Sequence, residues 1–180
     1  MVFLKEYYSN ILQYEFINKF SYSNINKLPK FKSIFLTFDL KKHDLKTLID
    51  NLIALELLSS VNGFLIPSKV SKISLKIRKG TPVGCKVILR KKKLFRFLYK
   101  LLNTVVISGL NNNTISIQKK KGFKFSFKIS NVLLFSELEE NYSFFKKISG
   151  LNIVFITNSS SKKEILYLLN SYKIRFLSSL

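Results

Sequence analysis

Residues 122–129 read GFKFSFKI, and this alternation restricts the chain more than any other feature. Phe123, Phe125, Phe127 and Ile129 fall on one side of an extended backbone; Lys124, Ser126 and Lys128 fall on the other. A period of two marks a strand with one buried face and one open face. A helix would scatter the same four apolar side chains around its circumference. The segment therefore predicts a sheet whose inner side packs a core and whose outer side offers lysines to a partner.

The chain totals define what that partner can be. The 180 residues carry 31 Lys+Arg against 10 Asp+Glu, a formal net charge of +21. A folded body with that charge repels itself, and a polyanion relieves the repulsion. Nucleic acid and an anionic membrane surface both qualify. Nucleic acid is favoured because the charge is spread along the whole chain rather than placed on one helix. Hydrophobic residues make up 47%, enough for a real core. No repeat and no linker divides the sequence, so residues 1–180 read as a single domain.

Several chemistries are excluded. One cysteine, Cys85, allows neither an internal disulfide nor a cysteine zinc site. His43 is the only histidine, so no His/Cys metal cluster forms and a nucleophilic triad would have to use it. Its setting, Lys41-Lys42-His43-Asp44 before a helix start, suits a solvated or capping residue. The acids lie in Glu137-Glu139-Glu140 and in scattered singles, with no convergent set. The reading is therefore of a non-enzyme without metal or cofactor. No window reaches about 18 apolar residues, so no membrane span is expected. The opening residues have neither a secretory nor a transit-peptide layout.

Composition also reports on the gene. Arginines are confined to Arg78, Arg90, Arg96 and Arg175, and Ala54 is the only alanine. Phe, Ile, Asn and Lys abound, residues that share A+T-rich codons. Much of the Phe and Ile content is mutational bias rather than chemistry.

Elements can be placed along the chain. Leu4, Tyr7, Tyr8, Ile11 and Leu12 form one face of an amphipathic helix. Phe31 to Leu40 reads as a strand. Asp44 caps a helix with the face Leu45, Leu48, Ile49, Leu52 and Ile53. Phe64 to Ile66 and Val83 to Leu89 read as strands, joined by Pro67 to Pro82. A third helical stripe runs from Leu94 to Val106 through Phe97, Leu98 and Leu101 and breaks near Gly109. Asn111–Asn113 mark a turn, Thr114 to Gln118 a short strand, and Lys119–Gly122 a basic turn. Leu151 to Thr157 is a strand. Ser161 and Glu164 fit a capping box before a helix lined by Ile165, Leu168, Leu169 and Tyr172. Consecutive strands with short turns predict an α+β fold. It is a single antiparallel sheet with helices on one face and a long basic hairpin loop. The other face offers Lys30, Lys32, Lys124 and Lys128.

The hairpin segment continues into KIRKGTPVGCKVILRKKK, residues 76–93, without one acidic residue. It is not a P-loop: Lys86 leads into Val87-Ile88-Leu89, a strand, and Pro82 removes an N–H that a phosphate cradle needs. Cys85 has no base beside it and reads as a packing residue. Lysines on an edge strand discourage pairing, which explains one or two of them. Binding to a nucleic-acid backbone explains the whole run, with log affinity falling against log salt by about 0.7–0.9 per phosphate contact. Gly80, Pro82 and Gly84 would shape the tip to a structured RNA surface.

Residues 76–90, Lys-Ile-Arg-Lys-Gly-Thr-Pro-Val-Gly-Cys-Lys-Val-Ile-Leu-Arg, closely resemble the signature of the large-subunit ribosomal protein L-five family. The likeness covers nearly the whole chain: Tyr7-Tyr8, Phe20-Ser21-Tyr22-Ser23, Leu28-Pro29-Lys30, Gly122-Phe123, Phe135-Ser136-Glu137-Leu138 and Gly150-Leu151-Asn152-Ile153 also match. The resemblance implies a structural RNA-binding protein of the central protuberance. Its partners would be 5S rRNA, nearby large-subunit rRNA, neighbouring ribosomal proteins including one of the small subunit, and P-site tRNA. The tRNA contact would fall to the protruding loop 67–82, through Lys69, Lys72, Lys76, Arg78, Lys79 and Thr81. Contact with rRNA is expected of Lys30, Lys32, Thr37, Lys86, Arg90, Lys91, Lys92, Lys124 and Lys128.

The sequence departs from the family at three sheet positions where an Asn, a Gln and a Thr are expected to touch 5S rRNA. Thr37, Val61 and Ile88 stand there. The likeness begins at residue 1, leaving no room for a leader, and the codon bias suggests an organelle gene. The expected location is the mitochondrial ribosome, with a plastid or an A+T-rich bacterium as alternatives. The alternative function is a basic peripheral membrane-surface protein, which would bind anionic vesicles better than structured RNA.

Overall fold

A computed structural model describes residues 3–40, 44–71, 73, 77–108, 116–119, 123–159 and 161–172. Helix α1 (Phe3–Tyr7) passes through a π-helical turn (Tyr8–Leu12) into α2 (Gln13–Lys19). Strand β1 (Phe31–Asp39), helix α3 (Leu45–Ser59), β2 (Phe64–Pro67) and β3 (Pro82–Leu89) come next. Then come α4 (Lys91–Ser108), β4 (Ser116–Lys119) and β5 (Phe123–Ile129). Short helices α5 (Ser136–Glu139) and α6 (Tyr142–Phe145) precede β6 (Leu151–Thr157) and α7 (Lys162–Ser171). The six strands form one antiparallel sheet in the order β2-β3-β1-β6-β5-β4. This is the expected α+β class, and all six strands were legible within two residues of their ends.

Two compact units make up the chain: Met1–Ile34 with Arg90–Phe127 and Val154–Leu180, and Phe35–Leu89 with Lys128–Ile153. The first unit packs an aromatic core. Phe125 stacks on Phe155 with ring centroids 4.5 Å apart, and Phe31 sits 5.5 Å from Phe155 and 5.3 Å from Tyr172. Such pairs add about 0.5–1.5 kcal/mol each beyond the area they bury. Buried Leu94, Phe97, Leu98 and Leu101 give α4 the stripe that its sequence predicts. In α7, Ser161 Oγ accepts from Glu164 N–H at 3.2 Å and Glu164 Oε2 accepts from Ser161 N–H at 3.3 Å. That reciprocal pair is the capping box expected from the sequence.

The second unit lays α3 on β3. Asp44 caps α3 as expected, its Oδ1 accepting from Lys46 N–H at 3.2 Å. The helix ends at Ser60, which adopts φ 52° in the left-handed region.

Two helical faces differ from expectation. In the first helix the π turn adds a residue and rotates the positions downstream of it. Leu12 and Phe16 are buried while Ile11 is exposed. In α3 the buried face is Leu48, Asn51, Leu55 and Leu58, and Leu45, Ile49 and Ile53 of the expected stripe are exposed. Leucine, isoleucine and alanine fill nearly every position from 52 to 58, so several stripes overlap and periodicity cannot choose between them.

Candidate nucleic-acid interface

The second unit contains the β2–β3 hairpin. The strands pair with Phe64 opposite Lys86, Leu65 opposite Cys85 and Ile66 opposite Gly84, and the register shifts between Ile66 and Pro67. Pairing continues beyond the strands: Ser68 N–H donates to Thr81 O at 2.8 Å and Gly80 N–H donates to Ser68 O at 3.0 Å. Thr81 N–H and Oγ1–H both donate to Arg78 O, at 3.2 and 2.7 Å. These bonds close a tight turn over Arg78–Thr81 with Gly80 third, at φ 90°. A third residue with positive φ is the requirement of a type II turn, and glycine meets it without strain.

This frame holds Lys69, Arg78 and Lys79 exposed and Thr81 half-exposed. Lys72 and Lys76 lie outside the described residues, as does His43. The frame also corrects one expectation. Gly84 does not shape the hairpin tip; it lies within β3 and is buried. A Cβ on Gly84 would stand 2.5 Å from the Phe38 carbonyl oxygen, so glycine is what allows β1 and β3 to pair here. Cys85 is fully buried, and burial pushes its thiol up to about 12. A thiol held neutral is unreactive, as its reading as a packing residue requires.

Alternation along β3 buries Cys85, Val87 and Leu89 and exposes Lys86. Thr37 is half-exposed on β1, and Ile88, one of the three departures, is half-buried. Asn152 Nδ2 donates to Asp39 Oδ2 at 2.6 Å, which places an acid on the same unit as these groups. Lys128 is exposed at the end of β5.

The first unit carries the remaining candidates. Lys30 and Lys32 are exposed at the start of β1, and Lys124 is half-exposed on β5. Arg90, Lys91 and Lys92 are all exposed at the β3–α4 junction. Lys91 adopts φ 51°, a left-handed conformation that costs a non-glycine residue about 1–2 kcal/mol. The first turn of α4 has no acidic residue, so these cations sit at the positive end of the helix dipole. A bound anion offsets that repulsion.

Comparison with known proteins places the chain in a family. The profile of the C-terminal part of the ribosomal protein uL5 family matches residues 82–176. The chain belongs to the ribosomal protein uL5 family. That family is structural rather than enzymatic. The large ribosomal subunit protein uL5m of Reclinomonas americana is 33% identical over 178 residues, covering 95% of this chain and 96% of its own. The large ribosomal subunit protein uL5 of Nitrosomonas europaea is 31% identical over 178 residues, covering 98% and 99%. That of Clostridium acetobutylicum is 31% identical over 163 residues, covering 89% and 90%. Among the described residues, no helix is long and apolar enough to cross a membrane.

Sequence reasoning missed one set of polar groups in this family member. Asn51, Lys147 and Ser149 come together in the second unit around a groove that Lys128 also lines. The available signal was Asn51 itself, a polar residue on the α3 face that otherwise buries leucines.

Proposed function

We propose that this chain is a structural constituent of the large ribosomal subunit. It acts as one module of the central protuberance, bound to 5S rRNA and adjoining large-subunit rRNA. The hairpin of residues 67–82 reaches the P-site tRNA, and neighbouring ribosomal proteins, one of them in the small subunit, complete its contacts. The observation that carries this reading is the exposure of Lys69, Arg78 and Lys79 on a hairpin whose base is fixed by backbone pairing. Cations held by a defined frame suit a polyanion of fixed shape better than a fluid membrane surface. Exposed Lys30, Lys32, Lys86, Arg90, Lys91, Lys92 and Lys128, with half-exposed Lys124 and Thr37, supply the rRNA contacts. Lys72 and Lys76 join the tRNA contact.

The mitochondrial ribosome is the proposed location. The A+T-biased composition and the relative uL5m support it. The test is sedimentation of a gentle low-salt organelle lysate, with the RNAs of the particle sequenced. The chain is expected in the large-subunit peak together with 5S rRNA. A chain that sediments alone overturns the proposal. Recovery from plastids or from a bacterial cytoplasm overturns the location.

A further inference from the structure

In the second unit, α3, the end of β5 and the turn before β6 enclose a groove of about 570 Å³. Small-ligand sites span about 300–1,000 Å³. Two features of this groove point to an occupant.

The first is Asn51. It is 1% exposed and lines the groove, yet its Oδ1 has no hydrogen-bond partner. Its Nδ2 makes a long bond, 3.4 Å, to Ser149 Oγ. Turning the amide over exchanges the two atoms and still leaves one unpaired. Buried amides are normally satisfied, so an unpaired one facing a groove calls for an external partner.

The second is Gly150. A Cβ there would stand 2.7 Å from Lys128 Cε and 3.0 Å from Ile129 O. The absence of a side chain at Gly150 is what lets the Lys128 stem lie across this point. Lys147 is exposed and lines the same groove. Asp44, the acid in its lining, already caps α3. Two ammonium groups thus accompany one amide that can both accept and donate.

A phosphate satisfies the ammonium groups but not a lone carbonyl oxygen. A base edge satisfies the amide but not the lysines. A nucleotide satisfies both. We propose that the groove receives one unpaired nucleotide of RNA, its phosphate on Lys128 and Lys147 and its base edge on Asn51. Leu40 and Ile148 supply the apolar wall that a base covers. This inference rests on the reading of the chain as an rRNA-binding protein and adds a base-specific contact to it.

The full-length chain, titrated by NMR with AMP, ribose 5-phosphate, inorganic phosphate and a poly-glutamate peptide, tests it. AMP is expected to shift the Asn51 side-chain amide and to bind about tenfold more tightly than ribose 5-phosphate, the size of one good hydrogen bond in a closed site. Lys147→Ala should weaken AMP and ribose 5-phosphate alike by roughly tenfold. Asn51→Leu should make them equal. Lys147 is exposed, so its variant keeps the test decisive if Asn51→Leu does not fold. Equal binding of AMP and phosphate to the parent chain refutes the proposal. So does an Asn51 amide that does not move, or one that moves only with the peptide. Co-sedimentation of the parent chain with large subunits is scored in parallel. Its loss refutes the ribosomal reading, whereas failed AMP binding with sedimentation intact refutes the groove alone.

Discussion

Gly84→Ala isolates the contact on which the base of the hairpin depends. The new Cβ would lie 2.5 Å from the Phe38 carbonyl oxygen, against a lower limit of 3.0 Å for real Cβ contacts. The obstructing atom is backbone, so no rotamer change relieves it. β1 and β3 must part by about 0.5 Å or more. The nearby Leu40 N–H to Val83 O bond, now 3.0 Å, stretches toward 3.5 Å and loses most of its strength. One such bond contributes about 0.5–1.5 kcal/mol net, and overpacking a strand interior costs about 1–3 kcal/mol. The expected loss is about 2–4 kcal/mol, or roughly 5–15 °C in Tm for a chain of this size. Gly80→Ala is the control. A Cβ added at Gly80 would meet nothing within 4 Å, and only the φ of 90° resists a side chain. Its cost should stay near 1–2 kcal/mol. Thermal melts of the three purified chains, followed by circular dichroism, decide the matter. A Gly84→Ala chain within about 0.5 kcal/mol of the parent, or a Gly80→Ala chain less stable than it, refutes the reasoning.

Reversing Lys69, Arg78 and Lys79 to Glu should weaken tRNA binding and flatten the plot of log affinity against log salt by about 2–3, three phosphate contacts' worth. Filter binding at several salt concentrations measures this, and the melt should stay within about 1 kcal/mol because all three side chains are exposed. Ser161→Ala should cost about 1 kcal/mol by opening the α7 capping box, read from urea unfolding. The Cys85 thiol, raised to about 12 from an ordinary 9.0, should resist alkylation at pH 8 until urea unfolds the chain. A raised thiol pKa contributes stability in full below pH 9, where both states are protonated. Above it the unfolded thiol ionises first, so stability should fall between pH 9 and about 12, and less steeply in Cys85→Ala.

Local signals made most of this fold readable. The strict alternation of residues 123–129 depends only on neighbours, so β5 emerged directly, and the capping residues Asp44 and Ser161 announced their helices for the same reason. Faces decided by packing were less legible. α3 is apolar on several sides, and only its contact with β3 selects Leu48, Leu55 and Leu58 for burial. The π turn in the first helix leaves no mark in a pattern read at 3.6 residues per turn. α5 and α6, four residues each, are too short for any periodicity. The hairpin cations could be read because they are clustered in sequence. The groove could not, because Asn51, Lys128 and Lys147 are brought together by folding alone.

The two kinds of residue that make up the interface answer to different forces. Gly84 and Cys85 are buried, and what they tolerate is set by the Phe38 backbone and by the core. Lys86 comes directly after them in the chain, is exposed, and takes no part in that packing. A strand that alternates between the two can keep its inward residues under packing constraint while its outward ones respond to the partner alone. Thr37 and Ile88 bear on this division. They are the outward, half-exposed positions at which the sequence departs from the family, whereas the inward Gly84 and Cys85 match its signature. Substitution at Thr37 or Ile88 should therefore retune RNA contact with little loss of stability, whereas substitution at Gly84 or Cys85 disturbs the frame that aims every cation on the hairpin.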